Sequence, residues 1–414
     1  MPHPTGLKCV RCAKAFPLAA YRRGCDACLA QGVSANLSVA YGAVQLDRTT
    51  IPRGPRSMWR WGSLLPATAD EAVSLGEGDT PLVPVERLGL GPLWLKDESR
   101  NPTWSFKDRL ASSAVTMARK LGAKVIASSS TGNAGAATAA YAARAGLPCV
   151  IVTYAGAAGP LVTQMRAYGA MLVSVPTSAD RWKVLSAAVD RYGWFPTTVY
   201  FGPAAGSNPF GVEGYKTLSY EIAEAMDWEV PDWCALPVCY GDALYGMWKG
   251  FEEMRAMGWT RRTPRFIAAE VSGSFEQALA DGADALPVVE RATASVATSI
   301  GASQGTYQGL AALRASLGRA VFVPDDEIIA WSERLAHTEG VYAEPSAAAV
   351  LPAIARLRAD GTLLPGDKVV ALLTASGLKD TAATERSLGP VPQHGGSLEA
   401  AVAALKDRYG FDVA

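Results

Sequence analysis

Short apolar runs alternate with helical stretches along most of this 414-residue chain, and that alternation restricts the fold more than any other feature. The runs 124–128, 149–153 and 171–175 each precede a helical pattern, at 134–145, 161–168 and 179–192. A second series follows, with helices at 214–226, 244–257 and 347–358 and strands at 234–238, 265–270 and 368–373. Strands apolar on both faces cannot lie against water, so they predict parallel sheets covered by helices on both sides. The loop-rich stretch 197–211 separates the two series, which predicts two α/β lobes with a cleft between them. The domains expected are a cysteine-rich module at 1–40, a larger α/β domain from 41–110 and 200–390, a smaller one from 111–199, and a C-terminal tail or helix at 391–414. Pro52, Pro55, Trp59 and Trp61 mark 41–75 as a connecting segment packed on the main body.

Charge and histidine content exclude several functions. Lys plus Arg number 39 and Asp plus Glu number 39, so the basic excess of a nucleic-acid protein is absent. No uncharged apolar run reaches the roughly 18 residues needed to span a membrane. Residues 1–14 lack the apolar core of an export signal, so a reducing cytoplasm is the expected setting. Histidine occurs only at His3, His337 and His394, which leaves little for a histidine triad or a histidine metal site. The chemistry must therefore come from Lys, Ser, Thr, Asn, Cys, carboxylates or a bound cofactor.

Four of the seven cysteines, Cys9, Cys12, Cys25 and Cys28, form two C-x-x-C knuckles. Four thiolates close a tetrahedral shell around structural Zn²⁺ and leave no open position for catalysis. The competing reading is a pair of disulfides, which a reducing cytosol disfavours. Cys149 and Cys234 lie in apolar runs and read as buried strand thiols.

In α/β sheets ligands gather where strands end and helices begin, which singles out four loops. In Asn101-Pro102-Thr103-Trp104-Ser105-Phe106-Lys107-Asp108-Arg109, a lysine falls at the first turn of a helix beginning near Phe106. The helix dipole repels a cation there, and a lowered pKa suits an imine-forming amine. The competing reading is a solvated lysine paired with Asp108. Residues 128–133, Ser-Ser-Ser-Thr-Gly-Asn, supply hydroxyls and helix N–H groups for a carboxylate, or a plain N-cap. Cys239-Tyr240-Gly241-Asp242-Ala243-Leu244 lies between a strand and a helix, where Gly241 lets the backbone approach a phosphate. The fourth loop, Thr374 to Asp380, follows the last strand. A lysine, a carboxylate cradle, a phosphate cradle and a hydroxyl together suit pyridoxal phosphate.

These loops also carry a family resemblance. The segments 76–82 (Gly-Glu-Gly-Asp-Thr-Pro-Leu), 96–98, 101–109, 130–133, 208–210 with Glu213-Gly214, Glu344-Pro345 and 374–380 look like threonine synthase, of the tryptophan-synthase-β group of pyridoxal phosphate enzymes. Some members also carry a Cys-rich head. The resemblance implies the two-lobed fold type II architecture with parallel sheets, a small N-terminal zinc-ribbon-like module, and a homodimer. Lys107 would hold the cofactor and then act as the proton-transfer base. Asn133 would bond the ring hydroxyl, the backbone of Gly241, Asp242, Ala243 and Leu244 would hold the phosphate, and Thr374 would face the pyridine nitrogen. Ser130 and Thr131 would take the substrate carboxylate, with Ser207 and Asn208 near the leaving group.

The departures are concentrated around the substrate. Trp104 stands where the family usually has glycine, Ala134 replaces a threonine, and Gly211 replaces the arginine used on the phosphate of O-phosphohomoserine. Val238-Cys239-Tyr240 replaces the usual Gly-Asn start of the cofactor loop. Losing the arginine removes roughly 1.5–3 kcal/mol of charged hydrogen bonding. The expected activity is a threonine-synthase-like lyase acting on an O-activated homoserine by elimination and water addition. The alternatives are β-elimination or β-replacement on a serine- or threonine-type amino acid in specialised metabolism, and a zinc-ribbon binding protein on an inactive scaffold.

Overall fold

The computed structural model describes residues 4–19, 23–54, 56–155 and 159–412. His3, Pro55 and the last two residues of the C-terminal segment lie outside them. Among the described residues no helix is long and apolar enough to cross a membrane.

The larger sheet has six strands in the order Arg319–Phe322, Arg265–Glu270, Trp233–Pro237, Val369–Leu373, Leu93–Asp97 and Leu82–Val85. Five run parallel, and Leu82–Val85 pairs antiparallel with Leu93–Asp97. The expected parallel sheet is present, with one reversed strand added. The reversed strand lies at the edge, where Pro84 costs no ladder hydrogen bond. Alternation along the central strands explains their apolar character. Cys234, Leu236, Val370, Leu372 and Phe266 face one core. Trp233, Ala235, Val369, Leu373 and Ile267 face the other, against the helix Val350–Ala359. Each fully buried aliphatic side chain contributes roughly 1.5–3 kcal/mol, so both faces need their helices.

The smaller sheet has four parallel strands in the order Met171–Val175, Cys149–Tyr154, Ile126–Ser128 and Phe195–Pro196. Its helices are Asn133–Ala145, Pro160–Ala167 and Ser178–Tyr192. Helix Lys107–Lys120 packs against both Asn133–Ala145 and Pro209–Gly214, and the domain boundary expected at 110/111 falls inside it. The helix expected at 214–226 runs Lys216–Ala225, preceded by a separate short helix Pro209–Gly214, and the one expected at 347–358 is two, Pro345–Ala348 and Val350–Ala359.

A three-stranded antiparallel sheet, Ala15–Phe16, Pro4–Cys9 and Leu37–Tyr41, forms the N-terminal module. It is tied to the larger lobe. Lys249 donates to Val39 O at 2.7 Å, Tyr41 to Glu213 at 2.8 Å, and Arg11 pairs with Asp284 at 3.0 Å. Asn36 donates to Ser207 O at 2.9 Å and to Gln308 at 3.1 Å.

Candidate active site

The loop before Lys107 is shaped by its own polar groups. Asp108 accepts from Thr103 N at 3.1 Å and Thr103 Oγ1 at 2.6 Å, closing the turn back on the helix. Phe106 N donates to Thr374 O at 2.9 Å and Ser376 N to Trp104 O at 3.2 Å, which fastens this loop to the one after Val369–Leu373. Lys379 spans the same two loops, donating to Thr103 O at 2.5 Å. Behind them Arg109, fully buried, bonds Glu98 and Glu221, each at 2.7 Å, and Lys96 also bonds Glu221 at 2.7 Å. Such a network adds little net stability, but it fixes the first turn of the helix.

Lys107 opens that helix. It is not the surface partner of Asp108, whose carboxylate Thr103 occupies. Its Nζ lies 4.1 Å from the Phe106 ring centroid and 5.8 Å from that of Tyr215. It hydrogen-bonds to none of the described residues. Burial pulls the amine below the usual lysine range, and the nearby charges of Asp242, Cys239 and Glu344 offset this only in part. An amine whose pKa is lowered by its surroundings is a better nucleophile and base than a solvated lysine.

Around it stand groups from three other loops. Asn133, buried at the head of its helix, donates from Nδ2 to Glu344 at 2.9 and 3.1 Å, a contact that bridges the lobes. Its Oδ1 is buried without a partner, an open acceptor for a hydroxyl. Burial raises the Glu344 carboxyl, and burial brings Lys379 down to about 8. Thr374 is buried at the end of its strand, and its hydroxyl bonds none of the described residues. Gly241, at φ 86°, opens helix Asp242–Ala256. The first-turn N–H groups of Asp242, Ala243 and Leu244 have no acceptor among the described residues, which makes them an anion cradle. Gly241 is required there, since a Cβ would stand 2.6 Å from Gly309 Cα.

Ser130 and Thr131 lie half-buried in the loop before Asn133, and Ser130 Oγ accepts from Gly132 N at 3.2 Å. Ser207 and Asn208 are not brought to this group as free polar contacts. Ser207 Oγ donates to Asp242 at 2.6 Å, while Asn208 caps its own helix through Phe210 N at 3.0 Å and donates to Pro196 O at 2.8 Å. The Asp242 carboxylate is thereby held away from the cradle. Glu344 and Lys379 belong to the quoted motifs, and only folding reveals that they flank Lys107 and Asn133.

Two departures have structural causes. Trp104 has φ 64°, a left-handed conformation that costs a non-glycine residue roughly 1–2 kcal/mol, and its ring is exposed. Gly211 seats the Leu110 side chain, since a Cβ would lie 2.9 Å from Leu110 Cγ and 3.3 Å from Ala114 Cβ. In the N-terminal module the four sulfur atoms lie within 4.8 Å of one another, with Cys9–Cys28 at 3.6 Å and Cys12–Cys25 at 3.7 Å. A tetrahedral ion with bonds of about 2.3 Å spaces its sulfurs by about 3.8 Å, so the cluster fits a metal. None of the four is in a disulfide.

The family model described as pyridoxal-phosphate dependent enzyme matches residues 73–375, which include Lys107, Asn133, Gly241 and Thr374, and the chain belongs to that family. The threonine synthase of Methanosarcina acetivorans is 33% identical over 382 residues, covering 90% of this chain and 92% of the relative. That of Bacillus sp. is 37% identical over 315 residues, covering 74% and 85%. Among solved structures, threonine deaminase isoform 2 from Solanum lycopersicum superposes with a TM-score of 0.63 at 20% identity, over 77% of this chain and 88% of that one. It shares the α/β fold. The chain is thus a pyridoxal-phosphate dependent lyase of the threonine-synthase-like kind.

The residues present fit the cofactor: a desolvated lysine, an orphaned amide oxygen, a free hydroxyl and an unfilled helix N-terminus converge. Pyridoxal phosphate would be held by Lys107, Asn133, Thr374 and the backbone of Gly241 to Leu244.

Proposed function

We propose that the chain converts an O-activated homoserine-type amino acid by elimination and water addition. The observation that carries this reading is the half-buried Lys107 amine, unpaired among the described residues, in a chain alike to the Methanosarcina acetivorans threonine synthase over 90% of its length. Bound pyridoxal phosphate supplies the electron sink for charge developing at the substrate carbons. Lys107 would move the proton at Cα, and burial, which lowers its pKa, favours the neutral amine that this role needs. Ser130, Thr131 and the adjoining N–H groups bind the substrate carboxylate. Thr374 would offer a neutral hydroxyl rather than a carboxylate to the ring nitrogen, which would leave that nitrogen largely unprotonated and disfavour transamination. Asn133, held by Glu344, fixes the ring from the smaller lobe. Incubation with O-phosphohomoserine should release phosphate and threonine together; release of neither overturns the reading.

The second reading is β-elimination or β-replacement on a serine- or threonine-type amino acid. Gly211 favours it, because Leu110 fills the space of the arginine that grips the phosphoester in threonine synthases. Ammonia or a replaced amino acid formed from O-activated serine, with O-phosphohomoserine inert, would establish it.

We also infer that Cys9, Cys12, Cys25 and Cys28 hold structural Zn²⁺, that 111–199 and the flanking segments form separate lobes, and that the protein is a cytoplasmic homodimer. Sedimentation analysis returning a monomer would remove the last inference.

A further inference from the structure

Arg181, on helix Ser178–Tyr192 of the smaller sheet, is a cation without a counter-ion. It donates from Nη1 to Ser129 O at 2.7 Å, from Nη2 to Ser178 Oγ at 2.5 Å and from Nε to Ser178 O at 3.1 Å. Its guanidinium lies 5.2 Å from the Tyr154 ring centroid. Among the described residues it forms no ion pair. Burial depresses its pKa, with the phenols of Tyr240 and Tyr154 opposing. Ser129 immediately precedes Ser130, and Tyr240 immediately precedes Gly241, so the guanidinium lies beside both the carboxylate loop and the phosphate loop. Three of its five N–H groups are used, which leaves two, enough for a bidentate contact with an oxyanion.

Apart from Lys107, the buried cations of this region are engaged. Glu221 holds Lys96 and Arg109, Glu213 holds Lys216 and Lys249, and Lys379 is bound to Thr103 O. No cation can enter at Gly211, because Leu110 fills that position. A half-buried guanidinium with no anionic partner is favoured by an anion that arrives beside it.

We propose that Arg181 recognises the anionic substituent on the substrate's side chain, a phosphate ester in the reading above, on which this inference rests. It would make Arg181 the specificity-determining residue of this chain, in place of the arginine missing at Gly211.

The test is calorimetric binding to holoenzyme of wild type, Arg181→Gln and Arg181→Lys, using two pairs: O-phosphohomoserine with homoserine, and O-phosphoserine with serine. Two charged hydrogen bonds predict that the wild type prefers O-phosphohomoserine over homoserine by about 150-fold or more. Arg181→Gln should shrink that ratio to within about threefold, leaving homoserine affinity and cofactor content unchanged. Arg181→Lys, with the charge but not the fork, should fall between. An Arg181→Gln protein that keeps the wild-type ratio overturns the proposal. If the wild type discriminates only the serine pair and Arg181→Gln erases it, Arg181 stands and the homoserine reading falls. A wild type that discriminates neither pair removes the Arg181 assignment, while threonine formation would still uphold the proposed reaction.

Discussion

Gly241→Ala tests the phosphate cradle in isolation. At φ 86°, an alanine bears roughly 1–2 kcal/mol of left-handed strain. Its Cβ would also stand 2.6 Å from Gly309 Cα, where ordinary contact begins at 3.4 Å. The loop must therefore retreat by about 0.8 Å, which stretches an N–H···O bond of about 2.9 Å to a length that no longer counts as one. Loss of one charge-assisted bond to phosphate costs about 1.5–3 kcal/mol, or about 10- to 150-fold in affinity. Gly340→Ala is the control: φ is 68° and nothing lies within 4 Å of the added Cβ, so it carries the strain without the clash. Both variants should melt a few degrees early, and only Gly241→Ala should lose cofactor affinity. Titration of apoprotein with pyridoxal phosphate, followed by visible absorbance and equilibrium dialysis, reads the difference. Cofactor affinity of Gly241→Ala within twofold of wild type refutes the assignment of the phosphate to this helix end.

Other expectations follow from the same geometry. Metal analysis should find about one zinc per chain in wild type and none in Cys9→Ser, with an earlier thermal transition, since the sulfur cluster closes only with all four ligands; no metal in either protein makes the module metal-free. Burial pushes the Asp108 carboxyl up to about 7, so the folded state holds its proton more tightly than the unfolded chain does. The associated stability is present at acid pH and is lost as pH rises from about 4 to about 7, by at most about 4 kcal/mol. Asp108→Asn should flatten that part of the stability–pH curve, and parallel curves for the two proteins would remove the effect; Lys379 facing it titrates above this window. Gly211→Arg should lose roughly 1–3 kcal/mol by overpacking against Leu110, and Leu110→Gly should restore most of it, as denaturant melts would read.

The sheets were legible because their central strands are apolar on both faces, a pattern with few other uses. The antiparallel edge strand Leu82–Val85 was not, since its pairing follows from chain path rather than from periodicity. The four loops were visible because serine, glycine and asparagine cluster before helices, and their convergence on Lys107 needed the fold. The family resemblance implies Ser207 and Asn208 as substrate contacts. Folding turns both inward, onto Asp242 and onto backbone groups. Arg181 had no signal at all: its helix pattern is ordinary, and only the strand ends place it beside Ser129.

The central claim is that Lys107 carries the cofactor. Purified protein should absorb in the visible, and borohydride reduction followed by peptide mass mapping should place a pyridoxyl phosphate adduct on the peptide containing Lys107. Lys107→Ala should lose that adduct while keeping its fold by circular dichroism. A colourless wild-type protein, or an adduct on Lys379 with Lys107 unmodified, would contradict the account.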